Sequence, residues 1–196
     1  MGFFSLPEML DLPPEHRDVF IDTGAHIGYS MELALKDGFK TVLGIELFSK
    51  HLATSHEKFK DNPNVRLFTG SSHEMLPEVL ASVYGRRVVV WHDAHFQGVD
   101  RVNEYDAACG ECPLIHELHA VMDARLCFEH APLMCIDDAQ LFYPEFWEKD
   151  PLAKNFNREE WPTINQIVLA VSPYYTVERR LYANNTSHVL ICTPAE

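Results

Sequence analysis

Two segments of this 196-residue chain end an apolar run in acid: VVVWHDAHF carries Asp93, and MCIDDAQ carries Asp137 and Asp138. Runs so rich in Val, Ile, Leu and Met read as buried strands. The carboxylates then stand at neighbouring strand ends. Three carboxylates cannot all ionise in one small cleft without a compensating cation. Hard oxygen donors suit magnesium, calcium or manganese, with positions left for water or substrate. The plainer alternative has Asp138 capping the helix that follows and Asp93 contacting only a ligand's amine. His95, two residues beyond Asp93 and with His92 behind it, is the nearest group able to accept a proton. It could equally hydrogen-bond a loop carbonyl.

A second constellation lies upstream. In RDVFIDTGAHIGYS an apolar run ends at Asp22, and Gly24 and Gly28 open what reads as a helix. A strand, a glycine turn and a helix N-terminus together cradle a nucleotide-like ligand. The next apolar run, TVLGIEL, ends at Glu46, placed to accept hydrogen bonds from a ribose. Helix capping or a surface ion pair is the bland account of Asp22 and Glu46. His26, inside the turn, faces either the ligand or solvent.

The elements that must position these groups alternate in type. Strand runs DVFID, TVLGIE, VRLFTG, RVVVWHD and PLMCID are separated by helical stretches near 27–36, 50–59, 73–83 and 113–127. This predicts an α/β fold, a Rossmann-like doubly wound parallel sheet with helices on both faces. Such sheets hold ligands outside the carboxyl ends of their strands. After the aromatic stretch LFYPEFW, a helix near 161–171 leads to YYTVERRLYA and SHVLICT, joined through Asn184-Asn185. That pattern predicts a C-terminal antiparallel hairpin beside five parallel strands. The whole chain, 1–196, reads as one domain. Residues 1–16 form an N-terminal arm with a Pro-Pro stop.

FIDTGAHIGYS resembles the first motif of class I S-adenosylmethionine-dependent methyltransferases, and the terminal hairpin matches their last two strands. The resemblance runs from about Asp18 to Thr193. It implies that Asp22, Gly24 and Ala25 line the methionine part of S-adenosylmethionine, with Gly28 allowing close helix packing. Glu46 would hold the ribose hydroxyls, Leu47 would lie beside the adenine, and Ser71 and Ser72 would meet the adenine edge. Asp93 would also border the cofactor. Dehydrogenases share part of the glycine motif, but the third glycine of the dinucleotide fingerprint is missing here.

The acids after strands four and five look like those of metal-dependent O-methyltransferases, the catechol and macrolide-sugar enzymes among them. In those an acid after strand four and an acid pair after strand five hold one divalent ion. The resemblance thus implies Asp93, Asp137 and Asp138 as ligands of a divalent cation, magnesium by expectation. A bound ion lowers the pKa of an acceptor hydroxyl and fixes it in line with the methyl group. His95 would be the general base, with Asp93 beside it. Catechol-type enzymes place a lysine where this chain has Phe96, which leans towards sugars or other alcohols. The reaction expected is methyl transfer to a hydroxyl of a small molecule. The alternatives are a metal-independent O- or N-methyltransferase of the same fold and a non-catalytic cofactor-binding module.

The remaining features narrow the partners. A formal net charge of −13 argues against nucleic acid, which needs a basic footprint, and against an anionic membrane. No run is long enough to span a bilayer, and the N-terminus lacks the pattern of a signal peptide. Five cysteines, an odd number, fit reduced thiols in a cytoplasmic protein. Cys109-x-x-Cys112, with His116 or His95, invites a zinc reading, but a closed set of four ligands is not evident. Residues 96–112 leave strand four over the expected site as a candidate lid, with Gln97, Arg101, Glu104 and Tyr105 as substrate contacts. Phe3 and Phe4 of the arm leave a homo-oligomer open.

Overall fold

The computed structural model describes residues 12–96, 110–181 and 188–195. Five strands, β1 (Val19–Asp22), β2 (Thr41–Glu46), β3 (Val65–Thr69), β4 (Val88–His92) and β5 (Leu133–Ile136), alternate with four helices. These are α1 (Tyr29–Lys36), α2 (Ser49–Phe59), α3 (Ser72–Ala81) and α4 (Leu114–Ala124). Then come α5 (Pro144–Lys149), α6 (Ile164–Val171), β6 (Tyr175–Leu181) and β7 (His188–Pro194).

All seven strands share one sheet in the order β3-β2-β1-β4-β5-β7-β6. The first five pair in parallel, whereas β7 runs antiparallel to both β5 and β6. This is a mostly parallel, Rossmann-like α/β sheet. Strand order reverses between β1 and β4, so a crevice opens at their carboxyl ends. The turn residues 184 and 185 lie outside the described residues, as do Cys109, the four substrate contacts expected in the loop, and the N-terminal phenylalanines.

The sheet is apolar on both faces because both are covered. Val19, Ile21, Leu43, Val90, Met134 and Leu190 join the core under α3, α4 and α6. The residues between them, Phe20, Val42, Val89, Trp91, Cys135 and Val189, join a second core under α1 and α2. The period of two that divides them is the pleat of the strand. Burying runs of Val and Ile twice over explains why these segments lack polar alternation.

Several boundaries differ from expectation, each for a local reason. The first helix starts at Tyr29 because Gly28 is left-handed, at φ 77°. A Cβ there would lie 2.4 Å from the Phe59 ring. The last helix starts at Ile164, set by a capping box in which Thr163 and Gln166 bond reciprocally. The fourth ends at Ala124 and continues only as a 3₁₀ turn over Arg125–Cys127. The aromatic stretch after β5 folds into a 3₁₀ turn and α5, and Phe142 and Phe146 are buried there, with Trp161 packed against Phe142. Its aromatics therefore pack the core.

Candidate active site

Asp22 ends β1 with its side chain wholly buried. One oxygen accepts from Gly24 N at 3.0 Å, and the other from the Ser30 hydroxyl. The glycine turn lies tight on β4: a Cβ on Gly24 would be 2.3 Å from the Asp93 carbonyl oxygen. Only glycine lets the turn approach so closely. Ala25 is buried, and its N donates to Ile45 O at 2.9 Å, fixing the turn to β2 as well.

Glu46 ends β2 and is almost as deeply buried. Its Oε2 accepts from His26 N at 2.6 Å and its Oε1 from Phe48 N at 2.8 Å. His26 takes a left-handed φ of 45° to make its bond, unusual for a side-chain-bearing residue. The His26 ring stands edge-on to His51, 4.1 Å between centroids. Beside this frame Ile27 and Leu47 stay exposed, at 40% and 38%. Large apolar side chains left open next to a polar frame suit the flat face of a purine.

The hydroxyls of both serines after β3 have protein partners. Ser71 Oγ bonds His73 Nδ1 at 2.6 Å, and the buried Ser72 hydroxyl donates to Glu117 on α4. Glu117 also bonds His92 Nδ1 at 2.6 Å, with both side chains excluded from solvent. Ser72 and His92 are thus tied beneath α4. Glu117 was missed in the sequence because it falls within the apolar face of α4 formed by Leu114, Leu118 and Val121. A lone acid in an apolar stripe was the available signal. Ser30 gave none.

The ends of β4 and β5 bring together Asp93, His95 and Asp138, whose nearest ligand atoms all lie within 4.8 Å of one another. His95 Nε2 is 3.3 Å from Asp93 Oδ1 and 3.7 Å from Asp138 Oδ2. Asp137 is not part of this group: its Oδ1 turns back to accept from Asp138 N at 2.7 Å. Asp138 is itself left-handed, at φ 46°. Strain of this kind gathers at functional sites, where the surroundings over-determine it. Gln140 braces it, donating to Asp138 Oδ1 at 2.8 Å while accepting from His188 N of β7 at 3.1 Å. Cys112, His95 and His116 form no such group among the described residues.

The electrostatics follow from crowding. Burial first, and then the charge of Asp93, push the Asp22 pKa up to about 7, against the bonds from Ser30 and Gly24. Burial raises Asp93 as well, with His95 opposing. For His95 burial acts downward, but Asp93 and Asp138 outweigh it and hold the imidazole at about 9. The two carboxylates thus favour the imidazolium form of His95 in the cation-free protein. In that state it has no lone pair to act as the general base expected of it. The loop leaving this cluster has a fixed stem: Phe96 N donates to Glu111 O at 2.9 Å, and Glu111 accepts from the Trp161 indole at 2.8 Å.

No protein-family model and no curated protein matches the sequence, but solved structures match the fold. A Clostridium thermocellum protein assigned as an rRNA methylase superposes over 100% of both chains, with a TM-score of 0.61 at 11% identity. The SAH-bound Podospora anserina methyltransferase PaMTH1 gives 0.61 at 14% identity, over 91% of this chain and 72% of that one. Aeropyrum pernix fibrillarin, with natively bound S-adenosyl-L-methionine, gives 0.55 at 11%, over 93% and 69%. The chain thus has the fold of the S-adenosylmethionine-dependent methyltransferases, with its buried acids at the end of the sheet where that fold opens.

Proposed function

We propose that the protein transfers a methyl group from S-adenosylmethionine to a hydroxyl of a small molecule, with a divalent cation at the ends of β4 and β5. One observation carries the cofactor half: Asp22 and Glu46, at adjacent strand ends, are both buried and both bonded to the same glycine turn. The chemistry of the donors fits the group. A buried carboxylate with its pKa raised to about 7 gains a partner when an ammonium is placed beside it. Glu46 retains lone pairs for ribose hydroxyls, and Ile27 with Leu47 flanks the adenine. The methyl donor supplies an electrophilic carbon on a sulfonium leaving group.

Asp93 and Asp138 would hold the cation, braced by Thr23 Oγ1 on Asp93 N and by Gln140 on Asp138. Their part is to place the cation, which when bound would fix the acceptor oxygen and lower its pKa so that its proton passes to solvent.

The fold neighbours include a protein assigned as an rRNA methylase and a fibrillarin, so the fold does not exclude a nucleic-acid acceptor. The net charge of −13 favours a small molecule. No helix among the described residues is long and apolar enough to cross a membrane.

The test is methyl transfer from isotopically labelled S-adenosylmethionine to a panel of sugars, phenols and other alcohols, with an RNA fraction alongside. Each arm is run with chelator and again with divalent cation restored. Label in a hydroxylated small molecule, lost on chelation, is expected. Label in RNA alone, or turnover indifferent to chelation, overturns the acceptor or the cation part respectively.

A further inference from the structure

The sequence offers three aspartates, an all-oxygen set suited to magnesium, but the structure substitutes a nitrogen. His95 Nε2 lies 3.3 Å from Asp93 Oδ1 and 3.7 Å from Asp138 Oδ2, and it is buried without a hydrogen-bond partner. The His95 side chain is only 5% exposed. An imidazole nitrogen so close to two carboxylate oxygens, all three within 4.8 Å of one another, can share one ion with both. The rest of the ring is held in place, with Nδ1 3.3 Å from Phe96 O and the ring against Trp161 at 5.4 Å between centroids. A backbone carbonyl on the far nitrogen is the usual outer support of a ligating histidine, leaving Nε2 for the ion. Asp138 is supported in the same way by Gln140, while Asp137 is committed to Asp138 N.

We propose that Asp93, His95 and Asp138 select a first-row transition-metal divalent ion in place of magnesium, with Mn2+ as the spectroscopic probe. This rests on the cation-assisted reading above and names the class of its ion. Magnesium prefers oxygen donors in near-ideal octahedra and gives up its water reluctantly. Imidazole nitrogen favours the transition ions, and mixed nitrogen and oxygen sets bind them more tightly. Three ligands from two strand ends leave open positions for the acceptor oxygen and water.

The experiment titrates the whole protein with Mn2+, following the free-ion electron paramagnetic resonance signal, and then displaces it with Mg2+. Pulsed resonance on the bound ion reads directly whether an imidazole nitrogen is coupled to it. One Mn2+ per chain, at least about tenfold tighter than Mg2+ and coupled to nitrogen, is expected. His95→Gln should weaken Mn2+ by about tenfold or more and leave Mg2+ nearly unchanged, whereas Asp138→Asn should weaken both. Equal affinity for the two ions, no nitrogen coupling in the wild type, or Mn2+ binding unaffected by His95→Gln each overturns the proposal. Absence of Mn2+ binding in a protein that still binds S-adenosylhomocysteine would defeat this inference alone. Failure to bind S-adenosylhomocysteine defeats the cofactor reading instead.

Discussion

The two halves of the candidate site are built on opposite principles. Around Asp22 and Glu46 each carboxylate oxygen has a bonding partner, mostly backbone N–H, and the glycine turn is pressed against β4 and β2. Around Asp93, His95 and Asp138 charged groups crowd together and His95 Nε2 has no hydrogen-bond partner, although Gln140 donates to Asp138. The first half is complete as folded. The second crowds carboxylates that a bound cation would bridge. A cofactor site made of backbone can be stable and specific at once, whereas a reactive site gives up local stability for its arrangement.

The sharpest way to break this contrast is to compare Tm values of substitutions in the two halves. Gly24→Ala drives a methyl group into the Asp93 carbonyl, 2.3 Å away, and neither backbone can yield. Overpacking on that scale costs about 3 kcal/mol. For a chain of this length the loss of Tm is roughly 6–12 °C. Asp138→Asn keeps an acceptor for Gln140, tolerates the left-handed backbone and removes a charge, so Tm should hold within about 2 °C or rise. A large loss from Asp138→Asn would erase the distinction.

Next in size is the loss of Glu46. Glu46→Ala leaves His26 N and Phe48 N without their acceptor. Hydrogen bonds to charged groups contribute about 1.5–3 kcal/mol. Affinity for S-adenosylhomocysteine should fall by about 100-fold in calorimetry, while Mn2+ affinity changes little.

The pH dependence of stability sharpens the comparison further. Asp22, raised from 3.8 to about 7, takes up a proton on folding, so its contribution declines as pH rises between those values. His95, raised from 6.5 to about 9, contributes fully below 6.5 and loses its contribution as pH rises through 9. Both slopes have the same sign. Cofactor-free, cation-free protein should lose several degrees of Tm between about pH 6 and about pH 9.5, at ~1.4 kcal/mol per pKa unit. Calorimetric scans at stepped pH check this, and a Tm that climbs over that range would contradict both assignments. The smallest effect belongs to Leu47→Ala, which removes part of an apolar flank already 38% exposed. A loss of affinity of about threefold is expected in the same titration.

The sequence made the frame readable because its strands are buried on both faces and their acids come at the ends. Asp22, Gly24, Glu46, Asp93 and Asp138 all stand at the sheet's carboxyl edge, as the alternation of runs implied. What it concealed depends on side-chain direction within loops. Nothing in IDDAQ says which aspartate turns back on the backbone, because that choice follows from the left-handed turn at Asp138. Ser72 was read as meeting the adenine edge, but the buried Glu117 on α4, one strand later, takes its hydroxyl. Helix edges such as Tyr29 shifted where a glycine φ or a capping box decided the first turn.

The measurement closest to the central claim is calorimetric titration of S-adenosylhomocysteine into cation-free wild-type protein, repeated in buffers of different ionisation heat near pH 6.5. One site per chain is expected, with net proton release as the ligand's ammonium brings the Asp22 pKa back down from about 7. Saturable binding with that sign of proton exchange would establish the cofactor site at the β1 end. A folded protein that takes up no S-adenosylhomocysteine, or binds it while taking up protons, would contradict the account.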